Sequence, residues 1–235
     1  GAGALGRVIA NGLEGLSPVA KEYAATILSN ENTLMHLLND VLEFSKYEAG
    51  QTTPIMAVTD IKKLIHEVTE SFINQFNSKY LSLTVEYKTD IPEAVLTDAQ
   101  KVSHVLSNIL GTALKFTRKG GVTISVSCDK FITIDIEDTG IGIDAEDHAQ
   151  IFDVFAQSGT SKEHMTGTGI GLAVARIFAR MLGGDVVLLT SDLGKGSLFR
   201  FTFAARPVHN EKKNVVEISD YSSIKGLSKN CKVLL

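Results

Sequence analysis

Two glycine-bearing hexapeptides hold the residues of this chain that could do chemistry. In D-T-G-I-G-I (138–143), Asp138 closes an alternating apolar run, so its carboxylate can accept from an exocyclic amine of the kind adenine carries. Gly140 and Gly142 lack a Cβ and would let a flat base approach the backbone. Taken alone, this hexapeptide is equally an ordinary strand-to-loop turn. In G-T-G-I-G-L (167–172), Gly167, Gly169 and Gly171 precede an apolar stretch containing Leu172, Val174 and Ile177. Glycines ahead of a helix N-terminus present backbone N–H groups to phosphate oxygens. A dinucleotide fingerprint needs a preceding strand inside a βαβ unit, which this pattern does not supply. A P-loop is excluded because no G-K-S/T occurs. Between the hexapeptides, S-G-T-S-K-E-H-M-T (158–166) has the small, polar makeup of a lid, with Lys162 as a candidate phosphate contact.

The periodicity predicts which elements position these residues. Asp60 caps a helix with the stripe Ile61, Leu64, Ile65, Val68, Phe72, Ile73 and Phe76. Leu81, Leu83, Val85 and Tyr87 alternate as a strand over 81–88, and Ile91-Pro92 is a turn. Asp98 caps a second helix running to Phe116, with Val102, Val105, Leu106, Ile109, Leu110 and Ala113 facing inward. Val122/Ile124/Val126 and Ile132/Ile134/Ile136 are two strands joined by a tight turn at Cys128-Asp129. A short helix over 144–151, a helix over 169–182 stopped by Gly183-Gly184, and strands at 186–190 and 198–204 complete the pattern. Adjacent strand pairs beside helices indicate an α+β two-layer sandwich and not a doubly wound parallel sheet. Upstream, residues 18–49 read as one long helix. Ala20, Tyr23, Ile27, Asn30, Leu34, Leu37, Val41, Phe44 and Glu48 follow a heptad seam, and Ala24, Leu28, Met35, Leu38 and Leu42 widen it. A stripe that wide suits a dimeric four-helix bundle.

Four motifs then fall in order: N-I-L-G-T-A-L-K-F-T (108–117), D-T-G-I-G-I, F-D-V-F-A-Q (152–157) and G-T-G-I-G-L. Together with L-S-P-V-A-K-E-Y and N-D-V-L-E-F-S-K-Y-E-A-G upstream, they resemble a sensor histidine kinase, with a dimerisation hairpin followed by an ATP-binding domain. The resemblance covers about residues 17–205. It implies an ATP site built from Asn108, Lys115, Phe116, Asp138, Gly140, Gly142, Phe155, Gly167, Thr168, Gly169, Gly171 and Leu172. It also implies a Mg²⁺ site from Asn108 and Thr112, with Phe152 and Phe155 placing the lid and Gly194, Gly196 and Ser197 helping to hold the lid helix. The γ-phosphate would pass to a histidine expected upstream of Gly1, then to a receiver aspartate in cis or on a separate response regulator. Thr112 stands where the family has its usual Mg²⁺-binding asparagine, and His104 stands where it often has glutamine. A shorter, β-branched side chain cannot put oxygen where an asparagine carbonyl would. The rival expectation is therefore a pseudokinase that dimerises with and regulates other kinases. The gyrase, chaperone and mismatch-repair ATPases share the sandwich, but F-D-V-F-A-Q and the heptad helix set this chain apart from them.

The resulting division is a helical hairpin fragment (1–50), a linker (51–59), the ATP-binding domain (60–206), a second linker (207–229) and a strand at 230–235 that resembles the start of a receiver domain. A net charge of −4 gives no reason to expect nucleic acid. No apolar run approaches the roughly 18 residues that span a bilayer, so the reading is a cytoplasmic portion without membrane contact of its own. The two cysteines, Cys128 and Cys231, make no metal-ligand spacing. His36, His66, His148 and His209 likewise lack acidic or cysteine partners at ligand spacing, and none is given a function.

Overall fold

A computed structural model describes residues 38–154, 169–204 and 206. The first twenty residues of the predicted long helix, His36, Phe155, the lid with Lys162, Gly167, Thr168 and everything from 207 onward lie outside the described residues. Helix α1 (38–48) stops at Gly50, whose φ is +66°. Gln51 N–H bonds back to the Lys46 carbonyl and Gly50 N–H to that of Tyr47, the paired bonds of a Schellman stop.

The sheet follows from alternation. Its five strands are β2 (Ser82–Tyr87), β4 (Gly121–Cys128), β5 (Phe131–Asp138), β6 (Asp185–Asp192) and β7 (Gly196–Ala204). They run in the order β2-β4-β5-β7-β6, antiparallel except for the parallel β2–β4 pair. The β2–β4 pair is parallel because a helix (Ala99–Phe116) lies between the two strands in sequence and carries the chain back to the starting end. Register sets Ile124 opposite Ile136, Ile136 opposite Phe199, and Phe201 opposite Val186, all buried. One face of the sheet is thereby apolar, and helices α2 (Ile61–Ser78), α3 (Ala99–Phe116) and α4 (Gly171–Met181) cover it. The observed architecture is the two-layer α+β sandwich.

Two aspartates start the first two of these helices. Asp60 accepts from Lys63 N–H and Asp98 from Lys101 N–H, as expected of N-caps. The second oxygen of Asp98 also accepts from Ile55 N–H at 2.8 Å, which ties the segment before the domain to α3. The last residues of the predicted linker form strand β1 (Ala57–Thr59), paired antiparallel with β3 (Val95–Thr97). Three residues are too few to show a period. Residues 144–151 form successive turns instead of a helix. Asp144 accepts Glu146 N–H on its own side chain, and His148 Nε2 bonds the Ile143 carbonyl, so local side-chain bonds displace the helical ladder.

Candidate nucleotide site

Asp138 is the last residue of β5 and lies opposite Ser197 of β7. Its carboxyl is buried and accepts from Gly140 N–H at 2.8 Å. Burial pushes its pKa above the ordinary carboxylate value; the N–H groups of Gly140 and Ser197 oppose that rise, and the charge of Glu137 adds to it. The carboxyl is thus held at the foot of the site by backbone bonds from two separate segments.

The glycines behind it serve the protein's own packing. A Cβ on Gly140 would stand 2.6 Å from Asp138 Oδ1 and 2.8 Å from the Phe116 carbonyl oxygen. On Gly142, whose φ is +72°, it would stand 2.0 Å from the Asp192 carbonyl oxygen. Packing by itself requires glycine at both positions: the space of a Cβ is filled by carbonyls and a carboxylate of the chain. Gly194 N–H donates to the Ile141 carbonyl at 2.7 Å, and Ser191 Oγ accepts from Ile143 N–H at 2.8 Å. The β6–β7 turn is therefore braced on the Asp138 loop; the lid that it is expected to help hold lies outside the described residues. Ile141 N–H reaches the Phe116 carbonyl at 3.2 Å, so the same loop is pinned to the end of α3.

On α3, Lys115 lies with Nζ 4.5 Å from the centroid of the Phe116 ring, and desolvation lowers its pKa. Thr112 Oγ donates to the Asn108 carbonyl at 2.8 Å, which commits its proton to the helix. Asn108 is half-buried, and its Nδ2 is buried without a hydrogen-bond partner among the described residues. Its Oδ1 is 3.1 Å from where a Cβ on Gly171 would stand. The N-terminus of α4 is thus pressed against Asn108. That helix begins after Gly169 (φ +67°) and Ile170, and among the described residues no side-chain bond caps its first turn. Uncapped helix donors beside an unpartnered buried amide make a cradle for anionic oxygen. Leu172 turns its side chain into the core. Of the residues predicted from sequence, Phe116, Asp138 and Gly140 meet where α3 and β5 end, and Asn108, midway along α3, meets Gly171 at the start of α4.

Phe152 lies under the guanidinium of Arg176, 4.8 Å from its ring centroid, and Arg176 in turn forks onto Asp185. The sequence reading passed over both Arg176 and Asp185. It also passed over the partner of His104: Nε2 is 2.7 Å from Oδ1 of Asp40 on α1. Long-range side-chain pairs leave no periodic trace. Among the described residues no group of three or more His, Cys, Asp or Glu could hold a metal ion. No helix among them is long and apolar enough to cross a membrane.

The family described as histidine kinase-, DNA gyrase B- and HSP90-like ATPase matches residues 97–207, which span this cradle. The chain carries a histidine kinase-type ATPase domain. Its curated relatives include the signal transduction histidine-protein kinase BarA of Escherichia coli (32% identical, covering 79% of this chain and 21% of BarA). The aerobic respiration control sensor protein ArcB of the same species is 31% identical over 89% of this chain and 28% of its own length. This chain therefore spans less than a third of either relative. Among solved structures, full-length ShkA in complex with AMPPNP superposes with a TM-score of 0.68 at 28% identity, covering 82% of this chain and 41% of that one. The Acinetobacter baumannii histidine kinase AdeS, with a TM-score of 0.64 at 21% identity over 87% of this chain and 93% of its own, shares the fold.

Proposed function

We propose that this chain is the catalytic core of a two-component sensor histidine kinase. It binds ATP between α3 and α4, and the γ-phosphate passes to a histidine on the dimerisation helix of a homodimer and then to a receiver aspartate. The observation that carries the reading is the buried Nδ2 of Asn108, without a partner among the described residues, beside the start of α4. Asp138 accepts from the adenine amino group, and Lys115 and the first N–H groups of α4 hold phosphate oxygens. The nucleophilic nitrogen attacks phosphorus, the bond to the bridging oxygen breaks, and ADP leaves with the electron pair. Asn108 Oδ1 is the side-chain oxygen that would hold a Mg²⁺ ion, which would neutralise phosphate charge there. Thr112, back-bonded to its own helix, is a lesser ligand.

Both BarA by its name and AdeS by its title are histidine kinases, and they lend no support to the pseudokinase alternative. The test is titration of the full-length protein with ATP, with and without Mg²⁺, followed by assay for an acid-labile phosphoryl group. Mg²⁺-dependent affinity with acid-labile phosphorylation is expected. Binding without any phosphotransfer would overturn the kinase reading.

A further inference from the structure

Helix α1 meets the nucleotide-binding domain in an unusual way. Its most buried residue is an aspartate: Asp40 is 4% exposed, while Leu38, Val41 and Leu42 are 50%, 42% and 48% exposed. Phe44 adds only a partly buried ring against the core. The polar atom of Asp40 meets His104 Nε2 at 2.7 Å, and the His104 ring stands edge-on to buried Phe178 of α4 with centroids 5.0 Å apart. Among the described residues this interface holds little apolar area and one part-buried polar pair, and it is separable because on opening both groups regain water.

The chain on either side is built for such motion. Ile55 is fixed to the domain by Asp98, and α1 is fixed by Asp40. Between these two tethers lie the Gly50 stop and residues 51–54, which have no regular structure. Losing the Asp40–His104 bond would free α1 to pivot about 50–54 while Ile55 stays pinned.

We propose that Asp40–His104 is a polar latch that parks the nucleotide-binding domain on α1. His104 sits one turn before Asn108, and Phe178 lies on the helix that Gly171 opens, so the latch grips the same two helices that form the cradle. The inference does not depend on whether the cradle turns ATP over.

The experiment uses the chain without nucleotide, with Cys128 and Cys231 replaced by serine and spin labels at Tyr47→Cys and Lys119→Cys. Electron–electron double resonance reads the distance across the latch. With the labelled chain diluted into excess unlabelled chain, so that each dimer carries one labelled copy, wild type should give one narrow distribution. Asp40→Ala and His104→Phe, the latter keeping an aromatic ring on Phe178, should each shift the docked-to-open ratio about tenfold or more, the scale of one charge-assisted hydrogen bond. The swap Asp40→His with His104→Asp should restore the narrow distribution. An unchanged narrow distribution in His104→Phe, or a broad one in wild type, would overturn the latch. Circular dichroism identifies any variant that fails to fold, and the swap and His104→Phe then decide between them.

Discussion

Gly171 approaches Asn108 so closely that a Cβ there would lie 3.1 Å from Oδ1. This contact joins two motifs more than fifty residues apart and makes Asn108 the wall of the anion cradle at the start of α4. Gly171→Ala should therefore weaken nucleotide binding about fivefold, since Asn108 must yield by a few tenths of an ångström. The fold should not suffer, because only side-chain atoms of Asn108 stand near the added Cβ and no backbone has to shift. Calorimetric titration beside a thermal melt separates the two effects.

Gly142→Ala should do the reverse. Its φ is +72°, and the added Cβ would meet the Asp192 carbonyl oxygen at 2.0 Å. A loss of about 1–3 kcal/mol in urea unfolding is expected from the strained conformation. Retained wild-type stability would show that the β6–β7 turn can move aside.

Asp138→Asn should cost nucleotide affinity at least about tenfold, because an amide presents a donor in place of half of the carboxylate's acceptors. It should also change the pH profile of stability. Burial raises the folded-state pKa of Asp138, so the folded protein binds more protons than the unfolded chain between the two values. Stability contributed at this position is full below the ordinary carboxylate pKa and declines as pH rises through the folded value. Asparagine has no proton to lose, so the variant should lack that decline. Denaturant melts of both proteins across the carboxylate range check it, and parallel profiles would refute it.

Thr112→Val should leave Mg²⁺-dependent ATP affinity within about twofold of wild type, because the hydroxyl it removes is already spent on the Asn108 carbonyl. Asn108→Ala should lose about a hundredfold, through the metal oxygen and the cradle donor together. Thr112→Asn should raise the rate of an already active protein; activity appearing only in that variant would mean the native chain is no kinase.

Asp98→Ala should destabilise by about 2 kcal/mol, roughly one for the helix cap and one for the bond to Ile55 N–H. Urea midpoints at constant m-value give the measure. A loss confined to the cap would show that the Ile55 tether is dispensable.

The legible parts of the chain were those with a period. The stripe from Ile61 to Phe76 and the alternation of Ile132, Ile134 and Ile136 announced a helix and a strand, and Asp60 and Asp98 announced where helices begin. β1 and β3 escaped because three residues hold no period, and 144–151 escaped because Asp144 and His148 compete for the backbone. Within the site, Asn108, Asp138 and Gly171 were recognisable by motif. The Asp40–His104 and Arg176–Phe152 contacts were not, since pairing across the fold depends on how helices dock and leaves no mark in local composition. The motif also concealed why its glycines are glycines.

That last point bears on how copies of this domain are judged. The bare positions at Gly140 and Gly142 are filled by the chain's own carbonyls and carboxylate, so selection for folding alone would preserve D-T-G-I-G-I in a descendant that had stopped using nucleotide. An intact glycine signature is a certificate of architecture. Evidence of a working enzyme has to be sought at Asn108 and the start of α4, where a buried amide nitrogen has no partner among the described residues.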